Sequence, residues 1–188
     1  MLYRGKPKRN VQHSIPMAIR PILIYPDSRL RAHAQPVGDP DSTVRALIDD
    51  LLDTMYAADG LGLAATQIGE KNRIFVMDLS DSRKQPQVMV NPVILSKIGR
   101  QKRQEGCLSI PGAYEDVERA ARIHVHALDR SGLPFEKWSE GLEAVCIQHE
   151  LDHLDGKLFI DHLSVLKRER LLKRFRAKHS ATAPLDPT

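Results

Sequence analysis

Two histidines four residues apart lie in the stretch Gln148-His149-Glu150-Leu151-Asp152-His153-Leu154. On an α-helix that separation is about 6 Å of rise and a little more than one turn, so both imidazoles leave one face and can grip a single metal ion. Glu150 follows the first histidine and can act as general base toward a water that such an ion activates. A packed or solvated histidine pair is the plainer reading of the same residues. The neighbours favour the metal. Leu142, Val145, Cys146, His149 and His153 follow steps of three and four, so the histidines continue the apolar face of a core helix. Imidazoles on such a face need partners.

A catalytic metal site usually has three protein ligands and one open position. A third histidine six residues after the second, with a glycine between, is the metzincin arrangement. Gly156 occupies the glycine place, but Phe159 stands where the ligand would be. A downstream glutamate has only Glu169 to offer, in a strongly basic stretch. Upstream, Glu105-Gly106-Cys107-Leu108-Ser109-Ile110-Pro111-Gly112 places one cysteine among turn formers. Alone it reads as a buried structural cysteine; beside a helix that lacks a ligand, Cys107 becomes the candidate.

These residues need elements to hold them. The metal helix is expected over 140–154, ending near Asp155-Gly156. A first helix is expected from an Asp41 or Ser42 cap, with Val44, Leu47, Ile48, Leu51, Leu52 and Met55 as its stripe and Gly60 as its stop. Residues 60–69 are too glycine-rich for a helix or strand. They are also not a phosphate loop, because the Lys-Ser/Thr ending is missing. Their small residues suit close backbone approach, and Gln67 is the polar side chain among them. Arg73–Leu79 and Gln87–Ile94 read as strands, with Pro92 marking an edge or a bulge. Residues 117–128 read as a strand pair or one long strand. There Ile123, Val125 and Ala127 alternate with His124 and His126, two histidines that share the exposed face and could in principle bind metal. Arg130-Ser131-Gly132 turns the chain into a strand at 134–139. A last helix, about 164–178, has Leu166, Leu171, Leu172 and Phe175 as its stripe and is otherwise basic.

The 188 residues suffice for one domain with a substantial core. No apolar run is long enough to span a membrane, and the basic N-terminus lacks the apolar stretch of a secretory signal. Two cysteines far apart make no disulfide framework, so a cytoplasmic protein with reduced thiols is expected. The net charge of +4 comes from the ends. Residues 1–16 hold Arg4, Lys6, Lys8 and Arg9 without an acid, and the segment after Leu163 holds seven basic side chains against Glu169 and Asp186. The body between is mildly acidic. Basic ends suit an anionic surface such as nucleic acid, and equally a solvated helix. The expected organisation is a flexible basic extension or upstream start over 1–16, a catalytic body over 17–163, a basic helix over 164–179 and a disordered tail over 180–188.

Three stretches together, Gly60-Leu-Gly-Leu-Ala-Ala-Thr-Gln67, Glu105-Gly-Cys-Leu-Ser109 and Gln148-His-Glu-Leu-Asp-His153, resemble the peptide deformylases, and Tyr25-Pro-Asp-Ser-Arg-Leu-Arg31 fits as well. The resemblance runs from Met17 to about Lys178. It implies an α+β fold in which antiparallel β-sheets surround a central metal-binding helix, with one helix towards each end of the chain. It implies a bacterial, cytoplasmic enzyme that removes the N-formyl group from the initiator methionine of nascent peptides and releases formate. Cys107, His149 and His153 would hold Fe2+, with Zn2+, Ni2+ or Co2+ as substitutes in purified protein. Glu150 would move the proton, and the Gln67 amide and the Leu108 backbone N–H would stabilise the oxyanion. The peptide would add as a strand near Gly60, Leu61, Gly62 and Gly106. Its methionine would enter a pocket at Leu142, Val145, Cys146 and His149, with Cys146 a wall and not a ligand. Glu105 would pair with Arg119, and Tyr114 would stand on the rim where some members have arginine. The basic C-terminal helix would dock on the ribosome near the exit tunnel, without sequence-specific nucleic-acid binding. A His-Glu-x-x-His metallopeptidase and a non-catalytic ribosome-binding module with a structural metal are the alternatives.

Overall fold

In the computed structural model residues 18–180 are described; the expectations for 1–16 and for 181–188 fall outside them. The first helix, α1, spans Ser42–Ala57, and the Asp41 side chain caps it by accepting from Val44 N–H at 2.9 Å. Its stop differs from expectation. Ala58 closes the last turn onto Thr54 and Asp59, the residue just before Gly60, takes the left-handed conformation (φ 52°).

Residues 60–69 are not irregular. They form a short strand, β1 (Gly62–Ala64), and a single 3-10 turn (Ala65–Ile68). β1 heads an antiparallel sheet that continues with β2 (Ile74–Met77), β3 (Gln87–Ile98), β6 (Arg122–Leu128) and β7 (Pro134–Glu140), in the order β1-β2-β3-β6-β7. Pro92 lies in a register shift between Val90 and Val93, so the bulge is what accommodates it. The expected pairing within 117–128 is replaced by two strands in different sheets. β5 (Ile110–Arg119) pairs only with β4 (Gln101–Cys107), and β6 belongs to the large sheet. Pro111-Gly112 hides the start of β5 from a reading of alternation.

The second helix, α2 (Gly141–Leu154), packs on one face of the large sheet. Phe75, Met77, Met89, Ile123, Val125 and Ala127 meet Ala144, Ile147, Leu151 and Leu154 there. α1 covers the other face at the β1–β2–β3 end through Ile48, Leu51 and Met55 against Ile74, Val76 and Val90. β2 is thus covered on both faces, which is why it reads as unbroken apolar residues. On β6, Leu128 still packs against the α1 cluster, and beyond it the outer face of β6 and β7 carries His124, His126 and Trp138. Trp138 stacks on His124, and that side chain is less open than expected.

The third helix, α3 (Val165–Ser180), lays Leu171, Leu172 and Phe175 onto Ile110, Ala113 and Val117 of β5 and onto the 3-10 turn Phe159–His162. Leu166, expected in that stripe, faces solvent.

Candidate active site

α2 presents His149, Glu150 and His153, and β4 brings Cys107 up to them. The ligand atoms of Cys107, His149 and His153 lie within 4.8 Å of one another, with Cys107 Sγ 3.2 Å from Nε2 of His153. A thiolate and two imidazoles are a donor set for a borderline divalent ion. Burial pushes the Cys107 thiol up, but the His153 and His149 rings more than offset it and hold it well below 9.0, as a ligand must be held.

Of the three candidate donors, His149 is backed from behind, whereas Nδ1 of His153 is buried with no partner among the described residues. Nδ1 of His149 donates to Glu105 at 2.8 Å, which leaves the other ring nitrogen free for the metal. Arg119 grips Glu105 bidentately at 2.8 and 3.0 Å, and both are buried. Burial alone would raise the Glu105 carboxyl; Arg119 and His149 reverse that and hold it down at about 2. Arg119 also donates to Asp152, whose carboxylate lies 2.6 Å from Nε2 of His162. The resemblance implied only the Glu105–Arg119 pair; Asp152 and His162 are joined to it by the fold.

Glu150 is buried, and its Oε2 finds no partner among the described residues. Burial pushes its carboxyl up to about 7, where it can both take and return a proton at neutral pH. β1 crosses directly over it. A Cβ at Gly62 would lie 2.5 Å from Glu150 Oε1 and 3.1 Å from Cys146 Sγ, so any larger residue there would push the Glu150 carboxyl from its place. A Cβ at Gly106 would likewise strike the Tyr114 ring at 2.5 Å.

Gln67 sits on the turn after β1 with its amide fixed at both ends. Oε1 accepts from Ala64 N–H at 2.9 Å, and Nε2 donates to Ser109 Oγ at 3.1 Å and points to Cys107 Sγ at 3.7 Å. Ser109, fully buried, holds that orientation; its motif was legible, its task was not.

A cleft of about 490 Å3 opens over these groups. It gathers the expected Gly60, Leu61, Gly62, Gln67, Glu105, Gly106, Cys107, Leu108, Tyr114, Leu142, Val145, Cys146, His149 and Glu150; Asp59, Gln104, Pro111 and Gly112 also line it and were not anticipated. Cys146 is a wall whose thiol burial pushes well above 9.0, the state of a group that is not a ligand. Tyr114 is exposed on the rim. A roomier polar groove of about 650 Å3 is lined in part by Arg119 and Asp152, and none of the three candidate donors lines it.

The fold and this cleft define a metal-dependent hydrolase, with a three-donor centre and a near-neutral carboxyl beside it. The family of polypeptide deformylases matches residues 19–169. The chain is 59% identical over 159 residues to a peptide deformylase of Alkalilimnicola ehrlichii, covering 84% of this chain and 89% of that one. It is 53% identical to that of Pseudomonas aeruginosa, over 89% of this chain and all of the relative. A crystal structure of a peptide deformylase from Legionella pneumophila superposes with a TM-score of 0.81 at 51% identity, over 89% of this chain and 100% of that one. The chain belongs to the peptide deformylase family. It is a metalloenzyme that removes the N-formyl group from nascent peptides, and nothing in the fold or the site favours the metallopeptidase or the non-catalytic module.

Proposed function

We propose the following roles for the residues of the cleft. Cys107, His149 and His153 hold the metal, and Fe2+ is the ion assigned, with Zn2+, Ni2+ and Co2+ able to take the same donors. When bound there the ion supplies Lewis acidity and lowers the pKa of water from 15.7 toward ~7. Glu150 takes the proton of the attacking water and later delivers it to the departing amine. Gln67 Nε2 and the Leu108 backbone N–H donate to the oxyanion that forms on the formyl carbon. The formylated peptide lies along β1 and β4 as an added strand at Gly60, Leu61, Gly62 and Gly106. Its methionine side chain fills the recess at Leu142, Val145 and Cys146, and Tyr114 borders the residues that follow. Glu105 positions His149.

One observation carries this reading: three candidate metal donors converge beside a buried carboxyl with an unpartnered oxygen, and Cys107, His149 and Glu150 line one cleft. Anaerobically purified, Fe2+-loaded protein should release formate from formyl-Met-Ala-Ser. Chelation should stop release and Fe2+ should restore it; release that survives complete metal removal would overturn the assignment.

We assign residues 17–163 to the catalytic body and 164–179 to an appended helix that meets the ribosome near the exit tunnel, in the cytoplasm of a bacterium. The support is charge: the outer face of α3 presents Arg170, Lys173, Arg174 and Arg176 to solvent, as an RNA phosphate surface would require. The relatives compared are bacterial, and no helix among the described residues is long and apolar enough to cross a membrane. Deleting α3 is a poor test, because Leu171, Leu172 and Phe175 would leave the core with it. Lys173→Glu with Arg174→Glu leaves that packing alone. It should weaken co-sedimentation with ribosomes while sparing activity on short peptides; unchanged co-sedimentation would reject the role.

A further inference from the structure

The histidines of β6 are not used by the reaction. His124 and His126 stand two residues apart on one strand and therefore leave the same face. β7 places Glu136 directly opposite His126, and that face carries the carboxylate between the two rings. One carboxylate oxygen lies 3.2 Å from Nε2 of His124, the other 3.6 Å from Nδ1 of His126. The second distance is too long for a hydrogen bond, so the carboxylate is not committed to His126.

We infer that His124, His126 and Glu136 form a second metal site on the outer face of the large sheet, for a borderline divalent ion such as Ni2+ or Zn2+. Two imidazoles and one carboxylate are the donors such ions prefer. His124 is already held, because its ring stacks on Trp138 with centroids 4.7 Å apart and planes within 10°. His126 is the more open ring, its side chain 38% exposed against 25%, and it closes on the ion by rotating at the surface, where rearrangement is easy. Solvent water fills the remaining positions. The guanidinium of Arg122 stands 4.6 Å from the Trp138 ring centroid.

Trp138 is the one tryptophan of the chain and touches the proposed site, so it reports occupancy. The experiment begins with enzyme whose active site is already filled with Ni2+. Further Ni2+ is added, with bound metal read by equilibrium dialysis and Trp138 by its fluorescence. The site predicts a second ion per chain and a saturable fall in fluorescence. His126→Ala removes a direct donor, so it should weaken the second ion by at least the roughly 10–100-fold that loss of a mere supporting contact costs. Glu136→Gln should weaken it as well, and both variants should deformylate as the parent does, which shows that they are folded. One ion per chain overturns the inference. So does a second ion, with its quench, that survives His126→Ala.

Discussion

The chain carries two pairs of histidines, and they differ less in spacing than in surroundings. His149 and His153 are four apart on a helix; His124 and His126 are two apart on a strand. Either spacing turns two imidazoles to one side. The helix pair is enclosed: Cys107 stands against His153, Glu105 fixes the nitrogen of His149 that faces away, and Arg119 fixes Glu105. The strand pair has Glu136, half in water, and a stacked indole. Spacing makes a chelator; burial and a second layer of hydrogen bonds make an active site. In a low-dielectric cleft each of those contacts is stronger than at a surface, and Glu150 is held near neutrality there because water is excluded.

That contrast can be broken at the enclosed site first. Gln67→Ala removes the fixed amide donor and should lower kcat by ~10²–10³-fold with metal content unchanged. A kcat within a few-fold of the parent would mean that the orientation set by Ser109 and Ala64 serves packing alone. Next, Glu105→Gln keeps the shape but weakens the hold on His149 and Arg119. Metal affinity should fall by roughly 10–100-fold, read by competition with a chromophoric chelator. An unchanged affinity would place the helix pair on the same footing as the strand pair.

A smaller effect compares carboxylates. Asp78 is buried; burial would raise its carboxyl, but Tyr56, Ser80 and Gln85 donate to it and hold it at about 2, below the ordinary 3.8. A carboxyl depressed in the folded state contributes stability that is complete above its unfolded value and is lost as pH falls through the folded one. Denaturant midpoints should therefore decline between pH 4 and 2 less steeply in Asp78→Asn than in the parent. Parallel declines would show that Asp78 is equally easy to protonate folded or unfolded.

Much of this was legible in the residues. α1 was readable because Asp41 and its apolar stripe are local signals, and the metal helix because its histidines continue a packed face. β1 was not, since its glycines serve contacts made elsewhere: Gly62 is small because Glu150 lies above it. Strands β5 and β6 were run together because nothing local shows that they pair with different partners. Much of the cleft lining lies in the motif stretches, although Asp59 and Gln104 were not anticipated, whereas Ser109, Asp152 and His162 act through partners brought up by the fold. Gln148 is a further case. It clasps both the N–H and the C=O of Ala120 at 3.1 Å, fastening α2 to the corner between β5 and β6, and only the tertiary structure shows why an amide stands there.

The most direct test of the account is formate release from formyl-Met-Ala-Ser by Fe2+-loaded parent and Glu150→Ala protein, with bound metal measured on the same samples. The account predicts one tightly held metal in each and a loss of turnover in the variant of at least ~10²–10⁴-fold, the range of general acid–base catalysis. A fully loaded Glu150→Ala enzyme that still releases formate at the parent's rate would contradict it.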